Sequence, residues 1–309
     1  MKVIMYHYVR EFSPKMPYFK YLNIENFIKQ LDYFEDEYGF LSKPEFEEVI
    51  FNKTKSTPSK KIVLTFDDGL SDHYKYVYPE LVRRGLWGIF YIPAKPYLEK
   101  NFLGVHLIHS LVGSIPAAKL LSQLESKITE EMLTDLIRND FSEETYVNQK
   151  NPASIDKFKR ILNYFIDYKY REGILSELVS VNNIDDDVDS FYLSVNQIRE
   201  MHDNEMIIGS HSVNHPVLSK LNYSEQKFEI FESLNFIELT LGQNIIRTFC
   251  FPYGGSRSYN KDTLALLNDS GYDFSFSVDY RDVTKEDLLN NIQSLPRYDC
   301  NFFPHGEAS

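Results

Sequence analysis

The chain has 309 residues, 43% hydrophobic and 15% aromatic, with a formal net charge of −12 and two cysteines. A chain of this length buries roughly 75% of its unfolded surface and needs no staple to hold a core. The acidic balance excludes a nucleic-acid binder, which needs a basic face for phosphates, and two cysteines, Cys250 and Cys300, exclude a disulfide scaffold.

The opening run MKVIMYHYVREF has one Lys and a short apolar stretch broken by His7. A secretory leader needs about 7–15 apolar residues and a small-residue cleavage site, and a membrane span needs about 20 apolar residues. Neither pattern is present, so a cytoplasmic protein without a transmembrane segment is expected. Reduced thiols at Cys250 and Cys300 agree with that compartment, although a single bridge between them stays open. The 22 Tyr and 23 Phe suit either a bulky core or rings that stack on sugars.

Residues 3–9 (VIMYHYV) are β-branched and aromatic and predict a strand. Ile24, Phe27, Ile28, Leu31 and Phe34 fall at helical spacing, so a helix is expected over 23–38, capped by Asn23 and ended by Gly39. Ser42 and Glu45 make a capping box for a short helix through Ile50. KIVLTF at 61–66 is the near-continuous apolar run of a strand buried on both faces. DDG follows, then a helix to about Arg84 that Gly85 terminates, then a strand WGIFYIP at 87–93. That order is a βαβ unit.

From about Pro96 to Ser194 the strand signals fade. Helices are expected near 129–138, 154–170 and 171–181, and residues 96–193 are read as a helical insertion within one catalytic domain spanning 1–309. The βα rhythm then returns: a short helix opened by Ser194 and Gln197, a strand MIIGS at 206–210, and a helix over 224–241 capped by Ser224 and ended by Gly242. TFCFP at 248–252 and DFSFSV at 273–278 are further strands, flanking a helix over 259–270 that Gly271 ends. The alternation predicts an α/β fold with an open or barrel-like parallel sheet, in which function collects at the carboxyl ends of strands.

Three segments at such ends carry chemistry. TFDDG sets Asp67 and Asp68 side by side at the mouth of a buried strand. Adjacent carboxylates repel and coexist only with a cation or a proton, so one can ligate a metal while the other acts as a base. Alone, Asp-Asp-Gly is more often an acidic turn. GSHSVNHP places His211 and His215 four residues apart, where their rings can share an ion; bare, the pair is more often structural. Two His and one carboxylate with an open position is a catalytic metal set, and Asp68 would supply the carboxylate. FPYGG at 251–255 joins Pro252, which fixes φ, to glycines that admit close approach of a ligand. A backbone N–H there could face an oxyanion.

Together and in this order, Thr65–Gly69, His211–His215 and Pro252–Gly254 resemble the T-F-D-D-G, H-[ST]-x-x-H and Pro-Tyr-Gly motifs of the polysaccharide deacetylase family, the NodB-homology group of carbohydrate esterase family 4. The likeness takes in YHYV at the start, roughly residues 1–95 and 194–300, and leaves out the insertion. It implies a distorted (β/α) barrel with fewer than eight regular strands. It also implies that Asp68, His211 and His215 are metal ligands, with zinc the expected ion, that Asp67 is the general base, and that the Tyr253 backbone N–H helps hold the oxyanion. Two features depart from the pattern. The arginine that family members often carry two residues before the motif's Pro is replaced by Cys250, and Arg297 in LPRYD could fold back to orient Asp67 instead. The catalytic-acid histidine has no clear match; His7, His106, His109 and His305 are the candidates.

The expected activity is therefore hydrolysis of an N-acetyl group on an amino sugar, in a glycan, a sugar nucleotide or a lipid-linked precursor. A sugar deformylase or an O-acetyl esterase would share the mechanism, and a carbohydrate-binding relative without turnover is the alternative of a different class. The insertion would narrow the cleft, bind the rest of the glycan, cover the sheet or make a homo-oligomer contact.

Overall fold

A computed structural model describes residues 1–52, 60–133, 152–184 and 187–308. These form two compact units, one built from Met1–Glu11, Tyr21–Asn101 and Val188–Ser309, the other from Phe12–Lys20 and Phe102–Asp187.

Nine strands occur among the described residues, all in the first unit: β1 (Lys2–Tyr6), β2 (Val9–Arg10), β3 (Leu22–Asn23), β4 (Ile62–Phe66), β5 (Ile89–Ile92), β6 (Ile207–Ser210), β7 (Thr248–Cys250), β8 (Phe274–Phe276) and β9 (Tyr298–Asp299). Seven of them make one sheet in the order β8-β7-β6-β5-β4-β1-β9, and every pair in it is parallel. Parallel neighbours need a crossover, which the helices between strands supply. Alternation along each strand sorts the core into two layers. Ile4, Tyr6, Leu64, Phe66, Phe90, Ile92 and Ile208 join one buried cluster with helix residues such as Phe27, Leu31, Leu81 and Ile198. Val3, Val63, Ile89, Tyr91 and Ile207 join a second with Cys250, Phe276 and Leu295. A strand read by the period of two thus shows both faces buried, which is why its residues are apolar without interruption.

The two edges of the sheet are drawn together by one short segment. Leu295 bridges to Phe276 of β8, while Tyr298, three residues on, pairs with Ile4 of β1. The sheet is therefore curled into a distorted barrel, as the resemblance implies.

The helix signals were mostly accurate. Asn23 caps Ile24–Glu37 through the amide of Glu25, and Ser42 with Glu45 forms the full capping box of Lys43–Phe51. Gly85 takes the left-handed conformation that ends Tyr78–Arg84. Ser194 and Gln197 box the start of Val195–Asp203. The helix expected over 224–241 begins one residue earlier, at Tyr223, and its cap is Asn222, boxed with Glu225. Ser224 instead donates its hydroxyl to the Asn222 side chain. The segment read as strand 3–9 stops at Tyr6, so His7 leaves the sheet.

The second unit is helical. Its described helices include Gly104–Ser114, Ala117–Glu125, Ala153–Arg160 and Tyr168–Asn182. The break expected near 170 falls at Ile166–Asp167, because Asp167 caps the next helix through the amide of Lys169. Half of the helix expected at 129–138, residues 134–138, lies outside the described residues; within them, Glu130–Met132 is a single 3-10 turn. No helix among the described residues is long and apolar enough to cross a membrane.

Candidate active site

The motif residues all leave the sheet at one end, because every strand is parallel. The Asp67 amide donates to Tyr6 O at 2.9 Å, which sets the end of β4 level with the end of β1. The His211 amide donates to Ile92 O at 3.0 Å, tying the end of β6 to that of β5. Four non-glycine residues here have left-handed backbone: Asp68 (φ 82), Ser212 (φ 61), His215 (φ 55) and Tyr253 (φ 62). Each costs of order 1–3 kcal/mol, and such conformations persist where the surroundings over-determine them.

Asp68, His211 and His215 converge. Asp68 Oδ1 lies 3.4 Å from His211 Nε2 and 3.5 Å from His215 Nε2. One ligand atom from each of the three lies within 4.8 Å of the others, and all three residues are buried. A tetrahedral ion with bonds of about 2.0–2.2 Å separates its donors by roughly 3.4 Å, so the observed spacing fits such an ion. His211 Nδ1 is 2.8 Å from Cys250 O. A carbonyl only accepts, so Nδ1 carries a hydrogen, and Nε2 is the nitrogen left facing Asp68 as a possible ligand atom.

A second triple, Asp67, His211 and Cys250, also lies within 4.8 Å. Its donors are otherwise engaged. Both oxygens of Asp67 accept from Arg297, at 2.8 Å each, and Arg297 Nη2 also meets Cys250 Sγ. One ring nitrogen of His211, Nδ1, is already held by Cys250 O. Burial pushes the Cys250 thiol above its usual range, so it meets the guanidinium as S–H and not as a ligand thiolate. An ion in this second place would sit against the Arg297 charge. The residues fit a metal at the first triple.

Asp67 stands beside that centre and outside it. Alternation along β4 puts Val63, Thr65 and Asp67 on one face, and Arg297 Nη1 reaches both Thr65 Oγ1 and Asp67 Oδ1. Arg297 is fully buried, held by the segment that joins the sheet's two edges. Burial by itself would raise the Asp67 pKa, but the Arg297 charge and hydrogen bonds outweigh it and hold the carboxyl at about 2. Asp67 is ionised at neutral pH. Arg297 thus packs against Cys250, which occupies the place where the family often carries its arginine.

Tyr253 sits in the turn after β7, with its ring 5.1 Å from that of His215. Pro252 and Gly254 shape that turn. The Gly254 amide donates to Phe251 O, and a Cβ on Gly254 (φ 67) would meet Val278 Cγ2 at 2.3 Å, so only glycine fits.

The four candidate acids separate by position. His7 follows β1, half-buried, and its ring charge is among those that lower Asp67. His305 is exposed near the C-terminal end. His106 and His109 belong to the second compact unit. His73 is a residue the motif reading missed. It is fully buried between Phe66 and Phe90, and its Nε2–H donates to His7 O at 2.9 Å. Burial lowers its pKa to about 4, which keeps the ring neutral. Nothing in the sequence around His73 marks it, because its partner is a backbone carbonyl 66 positions away.

The comparisons with known proteins bear on the fold and the family. The chain is similar in structure to the Streptococcus pyogenes deacetylase PplD in complex with acetate, at 19% identity and a TM-score of 0.58 over 97% of this chain and 91% of that one. It is similar to a de-N-acetylase from Aggregatibacter actinomycetemcomitans, at 16% identity and a TM-score of 0.53 over 96% and 94%. It is also similar to IcaB from Ammonifex degensii, at 16% identity and a TM-score of 0.51 over 89% and 82%. No curated protein matches it in sequence. The family model for polysaccharide deacetylase matches residues 54–275, well over half of the sequence. The chain therefore belongs to the polysaccharide deacetylase family.

Proposed function

We propose that the chain is a metal-dependent hydrolase that removes an N-acetyl group from an amino sugar of a glycan or glycan precursor. The observation that carries this reading is the meeting of Asp68, His211 and His215 within bonding reach of one ion, with an ionised Asp67 alongside. Asp68, His211 and His215 would hold a divalent ion, zinc by its donor set, which would supply Lewis acidity toward the acetyl carbonyl and toward water. Asp67 takes the proton of the attacking water on Oδ1, which keeps a lone pair beyond its bond to Arg297, whereas Oδ2 also accepts from the Cys250 thiol at 3.4 Å. Arg297 fixes the plane of that carboxylate and keeps it charged. The Tyr253 backbone N–H stabilises the oxyanion from the turn after β7. His7 supplies the proton to the departing amine, since it alone of the four candidates stands at a strand end beside Asp67. The similar deacetylase PplD is in complex with acetate, which is the product this reaction would release.

An inactive carbohydrate binder has no chemical need for a buried Arg–carboxylate pair next to three metal donors, and this arrangement favours turnover. The deciding experiment is metal analysis of the purified protein and of His211→Ala, paired with acetate release from matched N-acetyl and O-acetyl sugars and formate release from N-formyl ones. About one equivalent of metal is expected in the native protein and less than a tenth of that in His211→Ala, because one of three protein ligands is lost. Equal metal in both, or no acyl release by the metal-loaded protein, would overturn the reading. Preference for the O-acetyl or N-formyl substrate would move it to an esterase or a deformylase.

His7→Ala is expected to slow acetate release by about 10²-fold, in the range for loss of a general acid, with metal content unchanged. If a leaving group of low pKa does not restore most of that loss, His7 is not the proton donor.

A further inference from the structure

The loop between the two histidines has to hold two left-handed residues, Ser212 and His215, within four positions. Its polar backbone groups are met from two sides. The amides of Ala94 and Lys95 donate to Ser212 O and Val213 O at 3.0 and 3.1 Å. From the other side comes one buried carboxylate, Glu229, on the helix Tyr223–Leu241. Its Oε2 accepts from the amides of both Val213 and Asn214 at 2.8 Å, and its Oε1 accepts from Asn214 Nδ2 at 2.7 Å. Two consecutive amides turned toward one oxygen is a backbone arrangement that selects an anion. Burial raises the Glu229 pKa, and the three donors from the loop oppose that rise.

We propose that Glu229 is a positioning residue for the metal centre: it clamps residues 213–214, and through them sets the separation of His211 and His215. The inference rests on the metal reading given above. Glu229 acts through the loop and holds no ligand atom itself, so its loss acts on metal affinity. Supporting partners behind metal ligands cost 10–100-fold in affinity when removed.

The test is Co²⁺ titration of metal-stripped protein, followed by the visible absorption of the bound ion, with thermal unfolding of the metal-free forms run in parallel. Glu229→Met has similar length and leaves both amides unpaired; a loss of about 100-fold in Co²⁺ affinity is expected. Glu229→Gln keeps one oxygen for those amides, so a loss of no more than about tenfold is expected. Affinity unchanged in the Met variant, or equal losses in the two, would refute the clamp. If the Met variant does not fold, Asn214→Ala decides. It deletes only the bond to Oε1, and a loss of about fivefold or more with unaltered unfolding supports the clamp, while unaltered affinity overturns it. Failure of the wild-type protein to bind Co²⁺ would instead defeat the metal reading beneath.

Discussion

Asp67→Asn is expected to lower acetate release by about three orders of magnitude, within the 10²–10⁴ range for loss of a general base, while leaving the metal in place. The separation of the two effects follows from geometry. Both oxygens of Asp67 accept from Arg297, and the donors proposed for the ion are Asp68, His211 and His215. An Asn side chain has nearly the same shape but cannot accept the water's proton. It also turns an N–H₂ toward the guanidinium, which leaves a buried donor unsatisfied and costs about 1–3 kcal/mol of stability. The assay therefore needs the folded fraction and the bound metal measured beside the rate. If fully folded, metal-loaded Asp67→Asn turns over at the wild-type rate, Asp67 is not the base.

Arg297→Met is expected to cost about 3–5 kcal/mol of folding stability, the range for removing one partner of a buried ion pair. Against a typical total of about 5–15 kcal/mol, that is among the most damaging single changes this chain could carry. Arg297 is fully exchanged from water for protein: its nitrogens reach Asp67, Thr65 Oγ1 and Ser277 O, and its guanidinium lies 5.8 Å from the Tyr91 ring and 5.9 Å from that of Phe276. Met leaves the Asp67 charge without its cation, with the weak Cys250 S–H as a remaining donor. A pH series gives a second readout. The Asp67 pKa is held at about 2 in the fold against an ordinary 3.8, so its contribution is present above about pH 4 and is lost as pH falls toward 2. Urea unfolding of the metal-free wild type should show that loss, and Arg297→Met should not. A variant as stable as wild type would mean that the pair contributes nothing net.

How much of this was legible in the amino-acid string depends on the range of the interaction. Capping is local, within four residues, and Asn23, Ser42 with Glu45, and Ser194 with Gln197 all announced themselves. Asn222 was passed over for Ser224 because both types cap well, and only the Glu225 side chain reaching back to the Asn222 amide selects between them. The helices Gly104–Ser114 and Ala117–Glu125 carry no start signal in the sequence, since neither has a side-chain cap. β9 was missed for a different reason: two residues carry no periodicity, and the strand exists only because β1 offers it an edge.

For the site, the motifs brought the right residue types forward, but spacing could not rank four histidines as the acid. The proposal of His7 rests on its place after β1, which pairs with β4 through contacts that span 60 residues. Glu229 and His73 were invisible because each serves backbone groups, which every residue has. Local patterning by itself thus determined the alternating α/β architecture, most helix starts and the three motifs, since burial on two faces and cap chemistry are written within a few neighbouring residues. Only the tertiary structure decided that Arg297 lies against Cys250 and grips Asp67 from 230 positions away. Its partner is supplied when the curled sheet brings the segment before β9 between β8 and β1, and a long-range closure of that kind leaves no periodic trace in the chain.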